Sequence, residues 1–297
     1  MISRDICILC PRECRVDRIT KMGFCQCNRD IKVARAALHF WEEPCISGTN
    51  GSGTVFFSGC TMKCSYCQNY SISREAFGKI ISTERLSEIF LELQEQGAHN
   101  INLVTATQYL PQVLEALDMI KGKLIIPVVY NCGGYERVET INELKGYVDI
   151  YLPDLKYYNS EISRKYSQAP NYFEIATNAI QEMISQTGSI ELDKNGIMKK
   201  GVIIRHLVLP GHRKDSIEVL KWLSCNLDKS RYLLSLMSQY TPPTDIIIHK
   251  ELNRRITSFE YQSVIDEAIR LGLSNSYIQE RSSATLKYTP DFSLDGV

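Results

Sequence analysis

A parallel α/β fold is what this sequence predicts, and three observations predict it. Six short β-rich runs, TVFF, NINLVT, LIIPVVY, VDIYL, GVIIRHLVL and YLLSLM, punctuate the chain from residue 54 onward. Most are apolar on both faces, as strands covered by helices on two sides are. Amphipathic helical stripes fall between them, and strands alternating with helices argue for a parallel sheet with right-handed crossovers. The length of 297 residues, 44% apolar and 23% charged, suits one large domain with a small appendage. Periodicity alone does not separate an open sheet from a barrel.

In chain order, residues 1–48 form a Cys-rich, Arg-rich N-terminal subdomain with little periodicity, closed by the loop SGTNGSG at 47–53. Residues 49–250 carry the six βα units, and 251–297 form a C-terminal helix and strand extension. In TERLSEIFLELQEQG, Leu86, Ile89, Phe90 and Leu93 make one apolar stripe and Gly97 closes the helix. In LPQVLEALDMIKG, Pro111 sits early, Val113, Leu114, Leu117 and Ile120 make the stripe, and Gly122 ends it. Weaker helical patterns lie near 138–145, 160–187 and 214–225. A last helix, TSFEYQSVIDEAIRLG, opens with Thr257 and Glu260 at capping-box spacing and stops at Gly272.

Lys plus Arg equals Asp plus Glu at 34 each, so no charge excess points to nucleic acid or an anionic membrane surface. Neither a basic stripe nor an aromatic stacking motif marks a nucleic-acid binder. The opening MISRDICILC has no signal-peptide core, and no run approaches the ~18 apolar residues of a spanning helix. A cytoplasmic location is expected, where thiols stay reduced. Eleven cysteines crowded toward the N-terminus then suggest metal rather than disulfides.

The stretch FFSGCTMKCSYCQN sets Cys60, Cys64 and Cys67 directly after the first strand of the α/β body. Three thiolates from one short loop hold three irons of a four-iron cube and leave the fourth open to a ligand. A structural zinc that borrows a fourth ligand is the duller alternative. A site at a strand's carboxyl end is where parallel α/β folds gather ligands.

At these residues the chain resembles the radical S-adenosylmethionine (SAM) superfamily, whose cluster loop has this C-x₃-C-x₂-C spacing with an aromatic before the third cysteine, here Tyr66. The resemblance covers roughly residues 50 to 250. It implies an open partial (β/α)₆ barrel, a [4Fe–4S] cluster on Cys60, Cys64 and Cys67, and SAM on the open iron with Tyr66 near its adenine. It further implies reductive SAM cleavage to a 5′-deoxyadenosyl radical that abstracts hydrogen, with a flavodoxin or ferredoxin as electron donor. The similarity is greatest to the group related to pyruvate formate-lyase activating enzymes. There CQN continues the loop, LPDLK matches an Asp-x-Lys element, and IIRHLVLPG matches an Arg-bearing strand and Pro-Gly turn. On that basis Asp154, Lys156 and Arg205 are SAM-site residues, and the substrate is a glycyl-radical protein or, alternatively, a small molecule or peptide. Without the resemblance, Asp154 reads as a helix cap, Lys156 as a surface amine and Arg205 as a paired buried cation.

Two departures stand out. Where many members carry Gly-Gly-Glu, this chain has NLVTATQYLPQ, which leaves Thr105, Thr107 and Gln108 to meet the SAM amino group. After the third strand, YNCGGY puts neutral Asn131 where the activating enzymes carry an acid, which argues against a cation there. The pair Gly133–Gly134 reads as a turn. A non-catalytic iron–sulfur electron-transfer module is the rival from another class.

The segment CILCPRECRVDRITKMGFCQC offers Cys7, Cys10, Cys14 and Cys25 as a second four-thiolate site, for zinc or another iron–sulfur cluster, with Cys27 as a substitute. A zone this poor in apolar periodicity would need metal to fold. RAALHFWEEP reads as a strap between subdomains, Trp41 packed and Glu42 and Glu43 solvated, with a site role for His39 or Glu42 as the alternative.

Overall fold

The computed structural model describes residues 6–242, 249–279 and 290–297. Seven parallel strands stand side by side among them. They are β2 (Ser52–Phe57), β4 (Ile101–Val104), β5 (Val128–Cys132), β6 (Ile150–Pro153), β8 (Met198–Leu207), β9 (Leu233–Met237) and β10 (Ser276–Ile278). Strand β1 (Ile31–His39) pairs antiparallel with β2, and β3 (Lys79–Ile81) with β1. Strand β7 (Glu191–Leu192) pairs antiparallel with the start of β8. The order β10-β9-β8-β6-β5-β4-β2-β1-β3 never rejoins itself, so the sheet is an open partial barrel.

The six predicted strands are all present, and every residue of β2, β4, β5 and β6 is buried. Four further strands join the same sheet: β1, inside the segment read as an aperiodic Cys-rich zone, β10, inside the C-terminal extension, and the short β3 and β7. The short helices α1 (Pro44–Ser47) and α2 (Tyr70–Arg74) flank β2 in the chain. In α3 (Thr83–Glu95), the Ser82 side chain accepts from the Arg85 amide and Leu86, Ile89, Phe90 and Leu93 are all buried. Burying each such side chain contributes roughly 1.5–3 kcal/mol. Helix α4 (Leu110–Met119) buries Val113 and Leu117, and α5 spans Val138–Glu143. The 160–187 pattern is two helices, α6 (Ser160–Ser167) and α7 (Tyr172–Thr187). Gln168 and Asn171, both at positive φ around Pro170, separate them. Helices α8 (Arg213–Asn226) and α9 (Ser258–Arg270) follow, and α9 carries the predicted Thr257–Glu260 capping box.

The carboxyl-terminal residues return to the opposite edge. The Ala36 amide donates to Asp295 O, and the Leu294 amide to Ala34 O, where β3 no longer covers β1. No helix among the described residues is long and apolar enough to cross a membrane.

Candidate active site

The loop after β2 begins at Gly59, whose φ of 80° is open to glycine and strained for other residues. A Cβ there would lie 2.1 Å from Cys27 Sγ and 2.7 Å from Cys25 O, so the N-terminal segment backs directly onto this turn. Cys60, Cys64 and Cys67 follow, half-buried, and all three line one cavity of about 230 Å³. Each sulfur already accepts a hydrogen bond: Met62 N–H to Cys60 Sγ at 3.4 Å, Ser167 Oγ–H to Cys64 Sγ at 2.9 Å, Ser73 Oγ–H to Cys67 Sγ at 3.3 Å. Such bonds favour the thiolate a metal needs. Burial opposes them, pushing the Cys60 thiol up to about 12.

Tyr66 stands behind this loop and is not among the residues lining the cavity. It is buried, its ring 5.9 Å from that of Tyr240. Its hydroxyl lies 2.6 Å from Tyr157 Oη, which lies 2.6 Å from Ser167 Oγ. Because Ser167 spends its one proton on Cys64, each upstream hydroxyl must donate forward, and the relay runs Tyr66 to Tyr157 to Ser167 to Cys64.

Across the cavity stand the strand-end residues. Asp154 and Lys156 follow β6, and Arg205 lies near the end of β8. Arg205 Nε donates to Asp154 Oδ1 at 2.9 Å, and its Nη2 to Asn131 Oδ1 at 2.6 Å. Its Nη1 reaches Glu42 Oε2 at 3.3 Å, while Lys156 Nζ pairs with Asp154 Oδ2 at 2.5 Å. Burial works to raise Asp154, but Arg205 and Lys156 outweigh it and hold the carboxyl below its usual range. Asp154 is therefore neither a helix cap nor solvated, and Lys156 is not a surface amine. Arg205 is the paired buried cation.

Glu42 and Glu43 overturn the expectation of solvated acids. Glu42 takes Asn131 Nδ2–H at 3.3 Å and Asn102 Nδ2–H at 3.2 Å on one oxygen and Arg205 on the other. Trp41, expected to pack, is 60% exposed. The carboxylate absent at Asn131 thus arrives from the β1–β2 connection, which the antiparallel pairing of His39 with Ser52 sets at the amino-terminal end of β2. His39 also lines the cavity, edge-on to Phe56, and burial with nearby Arg35 lowers its pKa to about 4.

Of the three residues expected after β4, Thr105 reaches the cavity, at the strained φ of 58° for a β-branched side chain. Gln108 is buried; its Nε2 donates to Ser58 O, Gly59 O and Thr105 O at 2.9, 3.2 and 2.7 Å, tying the cysteine loop to β4. Thr107 turns away, donating to Glu136 Oε1 at 2.9 Å. Gly133 lines the cavity, while at Gly134, φ 79°, a Cβ would meet Asp154 O at 2.1 Å, so the turn brings β5 and β6 ends together.

Glu136 gave no sequence signal. It is buried, Oε2 has no hydrogen-bond partner, and burial raises its pKa from 4.5 to about 8. Between those values the unfolded chain loses a proton that the folded chain keeps, so stability falls as pH rises, at up to ~1.4 kcal/mol per pH unit. Glu136→Gln should raise the thermal midpoint by several degrees at pH 9 and little at pH 5. A shift equal at both pH values would mean that Glu136 is ionised in the folded protein.

The N-terminal cysteines separate into two groups. Cys27 packs on Gly59 with Sγ–H toward Ser58 O at 3.3 Å. Cys14 and Cys25 Sγ flank Gly23, each 3.6 Å from where its Cβ would be, and Cys7 and Cys10 are buried nearby. Among the described residues, no group of three or more metal-type side chains is placed to hold a single metal ion.

A three-thiol loop thus sits at the mouth of an open parallel barrel, facing a Lys–Asp–Arg network. The family model described as the radical SAM superfamily matches residues 54–223, and the chain belongs to that superfamily. It is 31% identical over 283 residues to uncharacterized protein MJ0674 of Methanocaldococcus jannaschii, covering 91% of this chain and 76% of that one. In fold it is similar to Streptococcus suis SuiB bound to precursor peptide SuiA, at TM-score 0.51 and 12% identity over 74% of this chain. The chain spans about half the length of SuiB, 46%. A spore photoproduct lyase also shares the fold, at TM-score 0.51 and 12% identity over 83% of this chain and 80% of that one.

Proposed function

We propose that this chain cleaves SAM at a cluster held by Cys60, Cys64 and Cys67 and directs the resulting radical to hydrogen abstraction from a partner protein. The carrying observation is that three thiols, each with its own hydrogen-bond donor, share one cavity with Asp154, Lys156 and Arg205. The donor set fits a [4Fe–4S] cluster, since three thiolates leave one iron for a non-protein ligand. When bound, the cluster and SAM supply reductive cleavage of the sulfonium to a 5′-deoxyadenosyl radical.

The residues supply position and charge. Lys156, close enough to Cys64 to stabilise its thiolate, offers a cation to a carboxylate at the cluster's edge. Asp154 fixes that amine, and Arg205 fixes Asp154, Asn131 and Glu42 in one fork. Thr105 brings backbone to the cavity wall where an amino group would be received. Cys7, Cys10, Cys14 and Cys25 are the set for a second zinc or iron–sulfur centre, which metal analysis of their alanine variants would count. A flavodoxin or ferredoxin is the electron source in this reading, and a glycyl-radical protein the substrate.

The chain, reconstituted anaerobically with iron and sulfide and reduced with dithionite, should convert SAM to methionine and 5′-deoxyadenosine. A fully loaded cluster that leaves SAM intact removes the proposal. With a glycyl-radical protein present, an electron-spin signal should appear on that protein; its absence at full SAM turnover rejects that substrate.

A further inference from the structure

A second cavity, also of about 230 Å³, abuts the first and shares Trp41, Glu42, Arg205 and Gln239 with it. Its remaining walls come from Glu43 and Pro44 and from β9 and β10, the strands farthest from the cysteine loop along the sheet. Met237, Tyr277 and Ile278 make it apolar on one side. Glu43 is the exception. It is 9% exposed, and its Oε2 is fully buried with no hydrogen-bond partner. It is the N-cap residue of α1, yet its side chain makes no capping bond. Among the described residues the one cation on these walls is Arg205, whose hydrogen bonds and ion pairs go to Asp154, Asn131 and Glu42 and which reaches Glu43 only through its charge. Among the described residues along the two cavities, Glu42, Glu43 and Asp154 therefore face Arg205 and Lys156, a surplus of one acid.

A buried carboxyl oxygen without a hydrogen-bond partner is expensive to keep unless something brought in from outside satisfies it. We propose that this second cavity is the substrate subsite, and that it takes an ammonium or guanidinium group on an aliphatic stem, the cation seated on Glu43. The inference rests on the neighbouring cavity being the SAM site. Apolar walls beside an acid with one unsatisfied oxygen match a stem that ends in a charge, as in a free alkylamine or a Lys or Arg side chain of a peptide. A site built on such a pair discriminates against neutral isosteres, because they leave the acid unpaired again.

The reconstituted protein, with SAM bound, is titrated calorimetrically with agmatine and with acetyl-Gly-Arg-Gly-amide. The neutral control is the same peptide with citrulline in place of arginine. At least one cationic probe should bind at least tenfold more tightly than the citrulline peptide. Glu43→Gln should remove that preference while keeping a cooperative thermal transition. Binding of the peptide alone identifies a peptide substrate, and binding of agmatine alone a small amine. Equal binding of cationic and neutral probes to the wild-type protein overturns the proposal, without recourse to any variant. So does an undiminished preference in Glu43→Gln, or no binding of either cation at millimolar concentration. SAM cleavage by the wild-type protein in the absence of probe reports the underlying reading separately. Cleavage without cation binding sinks the subsite alone.

Discussion

Alanine at Cys60, Cys64 or Cys67 should bring SAM cleavage by the reconstituted protein to background and strip its cluster iron. In the proposed cluster each thiolate would hold a separate iron, so losing one would leave a second corner open and the cube without its third anchor. Neighbours cannot substitute, because among the cysteines only Cys132 otherwise lines that cavity, and it is buried at the end of β5. Removing a sulfur's hydrogen-bond donor is a milder perturbation. Ser167→Ala ends the relay from Tyr66 and Tyr157 and should weaken cluster retention by about 10–100-fold, the usual range for such supporting partners. Cys225→Ala, on the exposed surface of α8, should change nothing and controls for thiol handling. Iron content and 5′-deoxyadenosine yield, measured together, decide the matter. A Cys64→Ala protein with full iron and wild-type cleavage would mean the cluster is held elsewhere.

What the sequence made legible was what is local or strictly patterned. Cys60, Cys64 and Cys67 sit within one loop after a buried strand, and the resemblance which that loop carries then points to Thr105, Asn131, Asp154 and Arg205. Buried apolar runs declare β2, β4, β5 and β6 because both faces are covered. Strand β1 escaped that rule: a register shift between Val33 and Arg35 breaks its period of two, so IKVARAALH reads as patternless. With β1 unseen, Glu42 had no route to the site, and its contact with Arg205 spans 163 residues of sequence. Thr107 and Gln108 lie away from the cavity for a different reason. The 3₁₀ turn Thr107–Tyr109 that follows β4 rotates both inward, and proximity in sequence to Thr105 did not survive the rotation. Ser167 and Glu136 carried no signal at all, since a lone serine or glutamate acquires its role only from what the fold sets against it.

Arg205→Met should destabilise the fold by about 3–5 kcal/mol, the usual cost of breaking a buried ion network by removing one partner. The guanidinium reaches three acceptors on three elements, Asp154 after β6, Asn131 on β5 and Glu42 before α1. Methionine fills the volume and satisfies none of them. Lys156 would still hold Asp154, so the stranded group is Glu42, which burial already pushes upward and Arg205 restrains. Once that restraint goes, the folded carboxyl titrates further above its unfolded value. The variant then gains stability as pH falls, because the folded state keeps a proton that the unfolded chain gives up. The deficit measured by urea unfolding should accordingly be largest near pH 8 and shrink toward pH 5. Adding Glu42→Gln to Arg205→Met should recover part of the loss, while Glu42→Gln alone in the wild-type background should cost stability. That sign reversal is a coupling that two independent packing defects would not show. A deficit that ignores pH and is not relieved by the second substitution would mean that Arg205 matters for its bulk, and that Glu42 is protonated and content without it.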